Sequence, residues 1–251
     1  GTGLGTDGAV WGGELLACGY ADFERLGQLK YVPVPGGDAA VKRPYRMALA
    51  HCMAAGIEWT RDLPPVTAAA DAELKVLKTQ LTRRLASPDT SSMGRLFDAA
   101  ASLLGIRHVA SYEAQGAMEL EAFATRAAHS SESYEFEIHQ NTSPMLFDPT
   151  ALWRRFVGDL RSGVAREEIA VRFHRAVANL ILQACRCARS STGIETVALT
   201  GGVFQNVLLL DFAMQSLCGA GFMVLTHRAT PPNDGGLSLG QAAVALASTI
   251  K

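Results

Sequence analysis

The last third of the sequence alternates strand patterns with helix patterns, and this order limits the folds that the chain can adopt. An apolar run at 196–199 precedes a helical pattern at 205–218, and a second apolar run at 221–225 precedes another helical pattern at 235–248. Strands that are joined by helices pair in parallel, and ligands bind beyond the carboxyl ends of such strands. The order therefore predicts a parallel sheet with a ligand loop after each strand.

The loop after the first of these strands contains two adjacent glycines, Gly201 and Gly202. Residues without a Cβ atom let backbone N–H groups, together with the N-terminus of the next helix, approach a phosphate closely. Asn206 is predicted just inside that helix, where its side chain reaches a ribose or a phosphate. The alternative is a tight connection between strand and helix that binds no ligand.

The loop after the second strand begins with Pro231-Pro232 and presents one carboxylate, Asp234, before a further pair of glycines. A carboxylate on such a constrained turn suits a metal ligand. The alternative role for Asp234 is to cap the helix that follows, which is a common role for aspartate. Together with the glycine loop, this segment predicts one pocket for a nucleotide and a metal ion.

The composition excludes several classes of protein. The chain has 251 residues, 48% hydrophobic and 19% charged, which is enough for a buried core in one large domain or two lobes. The net charge is −1 and the basic residues are dispersed, which argues against a nucleic-acid partner. No apolar run is long enough to span a membrane and no basic leader is visible, so we expect neither membrane insertion nor export. Five cysteines without a C-x-x-C pair predict buried thiols and a reducing cytoplasm.

The first eight residues form a glycine-rich loop that no strand precedes. Such a loop normally follows a β-strand, so we expect the chain to be a piece of a longer protein. Residues 8–37 alternate in the manner of antiparallel strands, and residues 130–149 predict a hairpin or a loop. Helices are predicted at 38–55, 71–85, 93–105 (capped by Ser91-Ser92), 113–128, 150–161 and 167–189.

Six short motifs follow one another along the chain. They are Gly1-Thr2-Gly3, Trp11-Gly12-Gly13-Glu14, Pro35-Gly36-Gly37-Asp38, Ser91-Ser92-Met93-Gly94-Arg95-Leu96-Phe97-Asp98-Ala99, Gly201-Gly202-Val203-Phe204-Gln205-Asn206 and the segment from Pro231 to Gly236. In this order they resemble the hydrogenase-maturation carbamoyltransferase family, HypF, over essentially the whole chain. The resemblance is to the C-terminal, Kae1-like domain, a member of the actin, hexokinase and Hsp70 ATPase superfamily.

The resemblance implies a two-lobed α/β fold of the actin-like ATPase (Kae1-like) type, with helices packed on mixed sheets and an N-terminal part that is missing. We expect one Kae1-like domain over 1–251, with approximate lobes at 1–130 and 131–251. The implied reaction transfers a carbamoyl group from carbamoyl-adenylate, made upstream from carbamoyl phosphate and ATP, to the C-terminal cysteine of a HypE-like partner. That partner dehydrates the product to a thiocyanate, the source of cyanide for a nickel–iron centre.

The resemblance also assigns binding roles position by position. The implied cofactors are ATP or AMP, as part of the carbamoyl-adenylate, and a divalent metal such as zinc, iron or magnesium. No catalytic side chain is assigned. The nucleotide-binding residues are Gly1, Thr2, Gly3, Gly94, Asp98, Gly201, Gly202 and Asn206, and the metal ligand is Asp234.

The chain departs from the family in its histidines. The family has a His-x-x-x-His metal pair upstream of the glycine-rich loop, and the six histidines of this chain never occur at that spacing. We therefore expect at most part of a metal site and little or no activity from residues 1–251 alone. Two side chains have simpler alternatives, since Asp98 suits a solvated helix face and His174, beside Phe173, suits a structural histidine in the core.

Three other functions are compatible with the pattern. The first is a threonylcarbamoyl transferase acting on tRNA, which the near-neutral charge and the Ser-Ser-Met-Gly-Arg-Leu-Phe-Asp sequence disfavour. The second is a nucleotide-binding or docking domain without chemistry. The third is a sugar or acetate kinase, which phosphoryl transfer to small acceptors distinguishes.

Overall fold

Helices form the centre of the protein in the computed structural model, which describes residues 2–249 and arranges their strands in three small sheets around that centre. The strands are β1 (Gly3–Leu4), β2 (Val10–Trp11), β3 (Glu14–Cys18), β4 (Phe23–Leu29), β5 (Val32–Pro33), β6 (Asp89–Thr90), β7 (Glu137–His139), β8 (Met145–Asp148), β9 (Thr196–Leu199) and β10 (Met223–Thr226). The helices are α1 (Asp38–Lys42), α2 (Pro44–Ala54), α3 (Pro64–Ala68), α4 (Asp71–Arg83), α5 (Met93–Leu103), α6 (Gln115–Thr125), α7 (Thr150–Arg161), α8 (Arg166–Thr192), α9 (Val207–Gly219) and α10 (Leu237–Thr249).

Two of the three sheets formed by residues 2–249 are mixed, as expected for this fold class. The first has the order β1-β2-β6-β5, the second β3-β4-β8-β7, and the third is the pair β9-β10. Three pairs are parallel, namely β2 with β6, β4 with β8, and β9 with β10. Strands from both sides of residue 130 share the second sheet, and the expected lobe boundary there stays a prediction.

The strands predicted within 8–37 are present, and they belong to two sheets. The chain passes from the first sheet to the second at Gly12-Gly13, between β2 and β3. A Cβ atom on Gly13 would overlap the backbone carbonyl oxygen of Ser91, so this crossing point requires glycine. The short strand β6 was not anticipated, because two residues are too few to show a period.

Aromatic side chains of helices α5, α7 and α8 pack together in the core. Phe97 of α5 packs edge-on against Phe173 of α8 with ring centres 5.0 Å apart, and Phe173 also stacks with Trp153 of α7 at 6.0 Å. All three rings are buried. Removal of one such ring costs about 3–5 kcal/mol, so these contacts fix the relative positions of the three helices.

Helix boundaries follow local chemistry where the sequence contains a clear signal. Pro44 begins α2, and the helical pattern predicted over 38–55 is divided at Arg43 because proline lacks the N–H group that a continuous helix needs. Ser92 caps α5 by accepting a hydrogen bond from the backbone N–H of Arg95 at 3.4 Å, which confirms the predicted cap.

The C-terminal helix α10 has no buried residue. Its leucines are largely exposed, and the exposed fraction of Leu246 is 64%. The neighbouring strand β10 also exposes Met223 and Leu225. Among residues 2–249, no helix combines the length and the apolar character that crossing a membrane requires.

Candidate functional site

The two loops predicted to form a pocket follow the parallel strands β9 and β10, and they lie in contact. The backbone N–H of Gly201 donates a hydrogen bond to the carbonyl oxygen of Pro232 at 2.8 Å. Strands β9 and β10 end in register, with Leu199 opposite Thr226. Parallel pairing therefore brings both loops to the same edge of the sheet, as the sequence predicts.

Gly201 has a backbone conformation that a larger residue would strain. Its φ is 106° and it is buried, so a Cβ atom there is unfavourable. Gly202 begins a short 3-10 turn that ends at Gln205, and a Cβ atom on Gly202 would make ordinary contacts with Asn233 and Gln205. Gly201 thus fixes the shape of the turn, whereas Gly202 faces the proline loop.

Asn206 caps helix α9 and does not lie inside it, which corrects the sequence prediction. Its Oδ1 accepts the backbone N–H of Leu209 at 2.8 Å, and its Nδ2 lies 3.0 Å from Nε2 of His174. The prediction erred because the residues after Gly201 form a 3-10 turn that delays the helix to Val207.

The start of α9 is occupied by a carboxylate from another helix. Oε1 of Glu121, on α6, accepts the backbone N–H groups of Val207 at 2.7 Å and Leu208 at 3.2 Å. An anion at a helix N-terminus satisfies unpaired N–H groups and the helix dipole. A phosphate therefore has no vacant N–H groups there, contrary to the expectation from the sequence.

His174 is a structural histidine, which confirms one of the two sequence interpretations. Its Nδ1 lies 2.8 Å from the carbonyl oxygen of Ala170, so Nδ1 carries the proton and Nε2 accepts from the amide of Asn206. Burial lowers the pKa of His174 to about 4, and the hydrogen bond to Ala170 opposes this shift. The imidazole is accordingly neutral at pH 7.

Asp98 is buried rather than solvated, which corrects the simpler interpretation of this residue. Nη1 of Arg95 lies 2.9 Å from Asp98 Oδ2, but the contact lacks hydrogen-bond geometry and leaves both atoms without a hydrogen-bond partner. Burial raises the pKa of Asp98 to about 6, although the charge of Arg95 opposes the shift. A buried, half-satisfied carboxyl group of this kind is typical of a functional site.

The N-terminal glycine-rich loop, whose residues Thr2 to Gly8 we call the glycine-rich turn, lies beside the start of α5. Gly1 lies outside the described residues, while Thr2 Oγ1 is 3.3 Å from Oγ of Ser92, and Gly94 lies in the first turn of the helix. Helix α5 also contacts the 3-10 turn at 202–205. Helix α5 is therefore the element that contacts both the segment with Thr2 and the turn that begins at Gly202.

Asp234 is exposed and belongs to a short 3-10 turn that runs from Asp234 to Gly236. Its neighbour Asn233 caps this short turn, since Asn233 Oδ1 accepts the N–H of Gly235 at 3.1 Å. Within residues 2–249, no group of three or more His, Cys, Asp or Glu side chains is placed to bind a metal ion. The described residues thus offer one candidate ligand and do not complete a metal site.

His227 was missed by the sequence analysis and lies directly at the two loops. Its Nε2 is 2.9 Å from the hydroxyl of Thr200, the residue before Gly201, and its Nδ1 is 3.4 Å from the hydroxyl of Thr230, the residue before Pro231. One imidazole thus joins the starts of both loops. Its position directly after the second strand pattern was the only signal in the sequence.

The chain matches a known protein family and individual proteins of that family. Residues 1–241 match the family described as "Carbamoyltransferase, Kae1-like Domain, second subdomain". The chain is 38% identical over 270 residues to carbamoyltransferase HypF2 of Cupriavidus necator, covering 98% of the chain and 33% of that protein. It is also 38% identical over 261 residues to carbamoyltransferase HypF of Rhodobacter capsulatus, covering 98% of the chain and 31% of that protein.

Two solved structures have similar folds. Full-length HypF in the phosphate- and nucleotide-bound form matches with a TM-score of 0.90 and 39% identity, over 98% of the chain and 32% of that protein. HypF of T. kodakarensis matches with a TM-score of 0.85 and 28% identity, over 99% of the chain and 33% of that protein. The chain therefore spans about a third of the length of these relatives.

Proposed function

This chain belongs to the HypF carbamoyltransferase family as a second Kae1-like subdomain, and from that premise we propose that it binds the adenine nucleotide of a carbamoyl-transfer reaction. The observation that carries the proposal is the hydrogen bond from Gly201 to Pro232, which brings two glycine loops together at the ends of parallel strands. A solved relative described as nucleotide-bound supports it.

The phosphate donors in this proposal are backbone N–H groups of the 3-10 turn rather than the start of α9. The first N–H groups of such a turn, at Gly202 and Val203, have no partner within the turn. Asn206 contributes by fixing the end of the turn, since both ends of its side chain are already engaged. Gly94 and Asp98 on α5 form the second nucleotide-binding element, with Thr2 and Gly3 beside the phosphates.

The proposed reaction begins with a carbamoyl-adenylate, a mixed anhydride made from carbamoyl phosphate and ATP elsewhere in the full enzyme. The C-terminal cysteine thiolate of a HypE-like partner attacks the carbamoyl carbon, the bond from that carbon to the phosphate oxygen breaks, and AMP leaves. Such a step requires fixed positions of the reactants and donors near the phosphate. The product supplies cyanide for [NiFe]-hydrogenase maturation.

We propose that Asp234 would supply one ligand to a divalent metal, zinc, iron or magnesium, in the full enzyme, where the ion would offset the negative charge of the nucleotide phosphates. The other ligands lie outside this chain under this proposal, since residues 2–249 offer no cluster of three. No step above depends on the ion. We also propose a reducing cytoplasm as the compartment, because five cysteines without a C-x-x-C pair are typical of a protein that keeps its thiols reduced.

Calorimetric titration of residues 1–251 with ATP and AMP tests the proposal. We expect residues 1–251 to bind both nucleotides saturably. In the full enzyme, which supplies the other metal ligands under this proposal, we expect Mg²⁺ to tighten ATP binding and Asp234→Ala to abolish this gain. The matched control is Asp211→Ala, which removes the same charge from an exposed position on α9. Absence of binding to the wild type contradicts the nucleotide role, and equal behaviour of both variants contradicts the role of Asp234.

A second candidate is a nucleotide-binding domain that performs no chemistry itself. The observation that favours it is that the polar groups near the glycine loop, Asn206, His174 and Glu121, are all engaged in internal hydrogen bonds. Carbamoyl transfer by a full-length relative in which this subdomain carries Gly201→Val separates the two candidates. Loss of transfer with retained folding supports a catalytic subdomain.

A further inference from the structure

Arg25, on β4, lies at the centre of a polar cluster beside the glycine-rich turn. Its Nη1 donates to Oδ2 of Asp7 at 3.0 Å, and its Nη2 donates to Oε1 of Glu14 at 2.8 Å. The guanidinium carbon lies 3.7 Å from the centre of the Trp11 ring. A planar guanidinium that bridges two carboxylates and stacks on an indole fixes the segments that carry them. We call Asp7, Trp11, Glu14, Arg25 and Tyr31 the Arg25 cluster.

Asp7 connects this cluster to the turn itself. Its Oδ1 accepts from Nε1 of Trp11 at 2.8 Å and from the backbone N–H of Ala9 at 3.1 Å, while its Oδ2 also accepts from the hydroxyl of Tyr31. Gly5 lies against the same indole, since a Cβ atom there would overlap the Trp11 ring. The carboxylate therefore defines the path of the chain directly after the glycine-rich segment.

Glu14 connects the cluster to the start of α5. Its Oε1 accepts the hydroxyl of Ser91 as well as the guanidinium of Arg25. The backbone N–H of Ser91 donates to Val10 of β2 at 3.0 Å, and the next residue, Ser92, lies beside Thr2. The guanidinium of Arg25 thus links Asp7, in the glycine-rich turn, to Glu14 and through it to Ser91, just before α5.

The charges of the cluster explain why the cation matters. Asp7 and Glu14 are two carboxylates beside a turn that is proposed to approach phosphates, and the side chain of Glu14 is only 8% exposed. Arg25 offsets one of these charges and engages both by hydrogen bonds. Without it, two carboxylates would remain uncompensated in a partly buried site and would repel an anionic ligand.

We propose that Arg25 is a positioning residue that fixes the glycine-rich turn against Ser91 and Ser92 and thereby sets its affinity for the phosphates of the nucleotide. The effect on phosphate affinity rests on the proposed nucleotide function. The positioning of the turn by Arg25, which is the structural part of the proposal, does not. Arg25 does not act by contact with the reacting atoms. It acts through Asp7 and Glu14.

Hydrogen exchange of the full chain without nucleotide tests the structural part. In Arg25→Met, we expect amide exchange at Gly5, Gly8, Ala9 and Ser91 to become about tenfold faster or more, with no change in α9. Arg61→Met is the matched control, because Arg61 forms a surface ion pair with Asp71. Arg25→Lys, which retains the charge but cannot bridge both carboxylates, should still accelerate exchange and serves if the methionine variant does not fold. Unchanged exchange in the turn overturns the proposal.

Titration with ATP and with adenosine tests the consequence. We expect Arg25→Met to weaken ATP binding about tenfold while adenosine binding stays within about twofold, because only ATP presents phosphates to the turn. Equal losses for both ligands would indicate general destabilisation and overturn the positioning role. If the wild type binds neither ligand but the exchange of the turn responds to Arg25, the proposed nucleotide function fails while the structural part of the inference stands.

Discussion

Nε2 of His174 accepts a hydrogen bond from the side-chain amide of Asn206, with 3.0 Å between the two nitrogen atoms. The contact joins α8 to the residue that caps α9, behind the glycine loop. Both partners are buried. The position of the glycine loop therefore depends on the core rather than on the loop sequence alone.

Asn206→Ala should destabilise the chain more than Asn206→Ser. Both variants remove the amide donor and leave Nε2 of His174 unpaired, which costs about 1–3 kcal/mol. Serine retains an oxygen that can cap α9, and loss of a cap costs about 1 kcal/mol more. Urea unfolding at pH 7.5 measures the difference, and equal losses would contradict a capping role for Asn206.

The stability of the chain should fall in mild acid because of His174. Its pKa in the folded protein is about 4 against a usual 6.5, so the unfolded state binds the proton more readily between these values. The contribution of the neutral imidazole is complete above about pH 6.5 and is lost as the pH falls towards 4. Between pH 7.5 and 5 we expect a loss of about 2 kcal/mol from this residue. The free energy of unfolding of His174→Gln should vary less with pH over this range. An unchanged pH dependence would contradict the lowered pKa of His174.

Asp98 should have the opposite pH dependence. Its folded pKa of about 6 exceeds the usual 3.8, so the ionised carboxylate destabilises the fold fully above pH 6, and this cost is relieved as the pH falls. Asp98→Asn removes the titration. The stability of the asparagine variant relative to the wild type should therefore decrease by about 1.4 kcal/mol between pH 7.5 and 5. If the difference in unfolding free energy between the two proteins does not change with pH, the pKa of Asp98 is not raised.

Leucines on the two C-terminal helices should respond differently to truncation. Leu217 of α9 has an exposed fraction of 0%, whereas that of Leu246 on α10 is 64%. Leu217→Ala should cost about 2–5 kcal/mol because it leaves a cavity. Leu246→Ala should change the free energy of unfolding by less than about 0.5 kcal/mol. A large loss for Leu246→Ala would mean that α10 packs against the core.

The sequence by itself determined the features that depend on local chemistry. Helix α7 has the predicted bounds because its apolar period is uninterrupted, and Ser92 caps α5 because a serine before a helical pattern can accept a backbone N–H group. The strand–helix–strand order near the C-terminus also predicted parallel pairing of β9 with β10, since a helical crossover allows no other arrangement as readily.

Only the tertiary structure decided which distant groups meet. Glu121 lies 86 positions before Val207, yet its carboxylate accepts a backbone N–H group at the start of α9. His174 lies 32 positions before Asn206 and accepts a hydrogen bond from the Asn206 side-chain amide. The bridge from Arg25 to Asp7 and Glu14 likewise joins separate segments. No local period encodes such contacts, because they arise when helices and strands pack and buried polar groups must find partners.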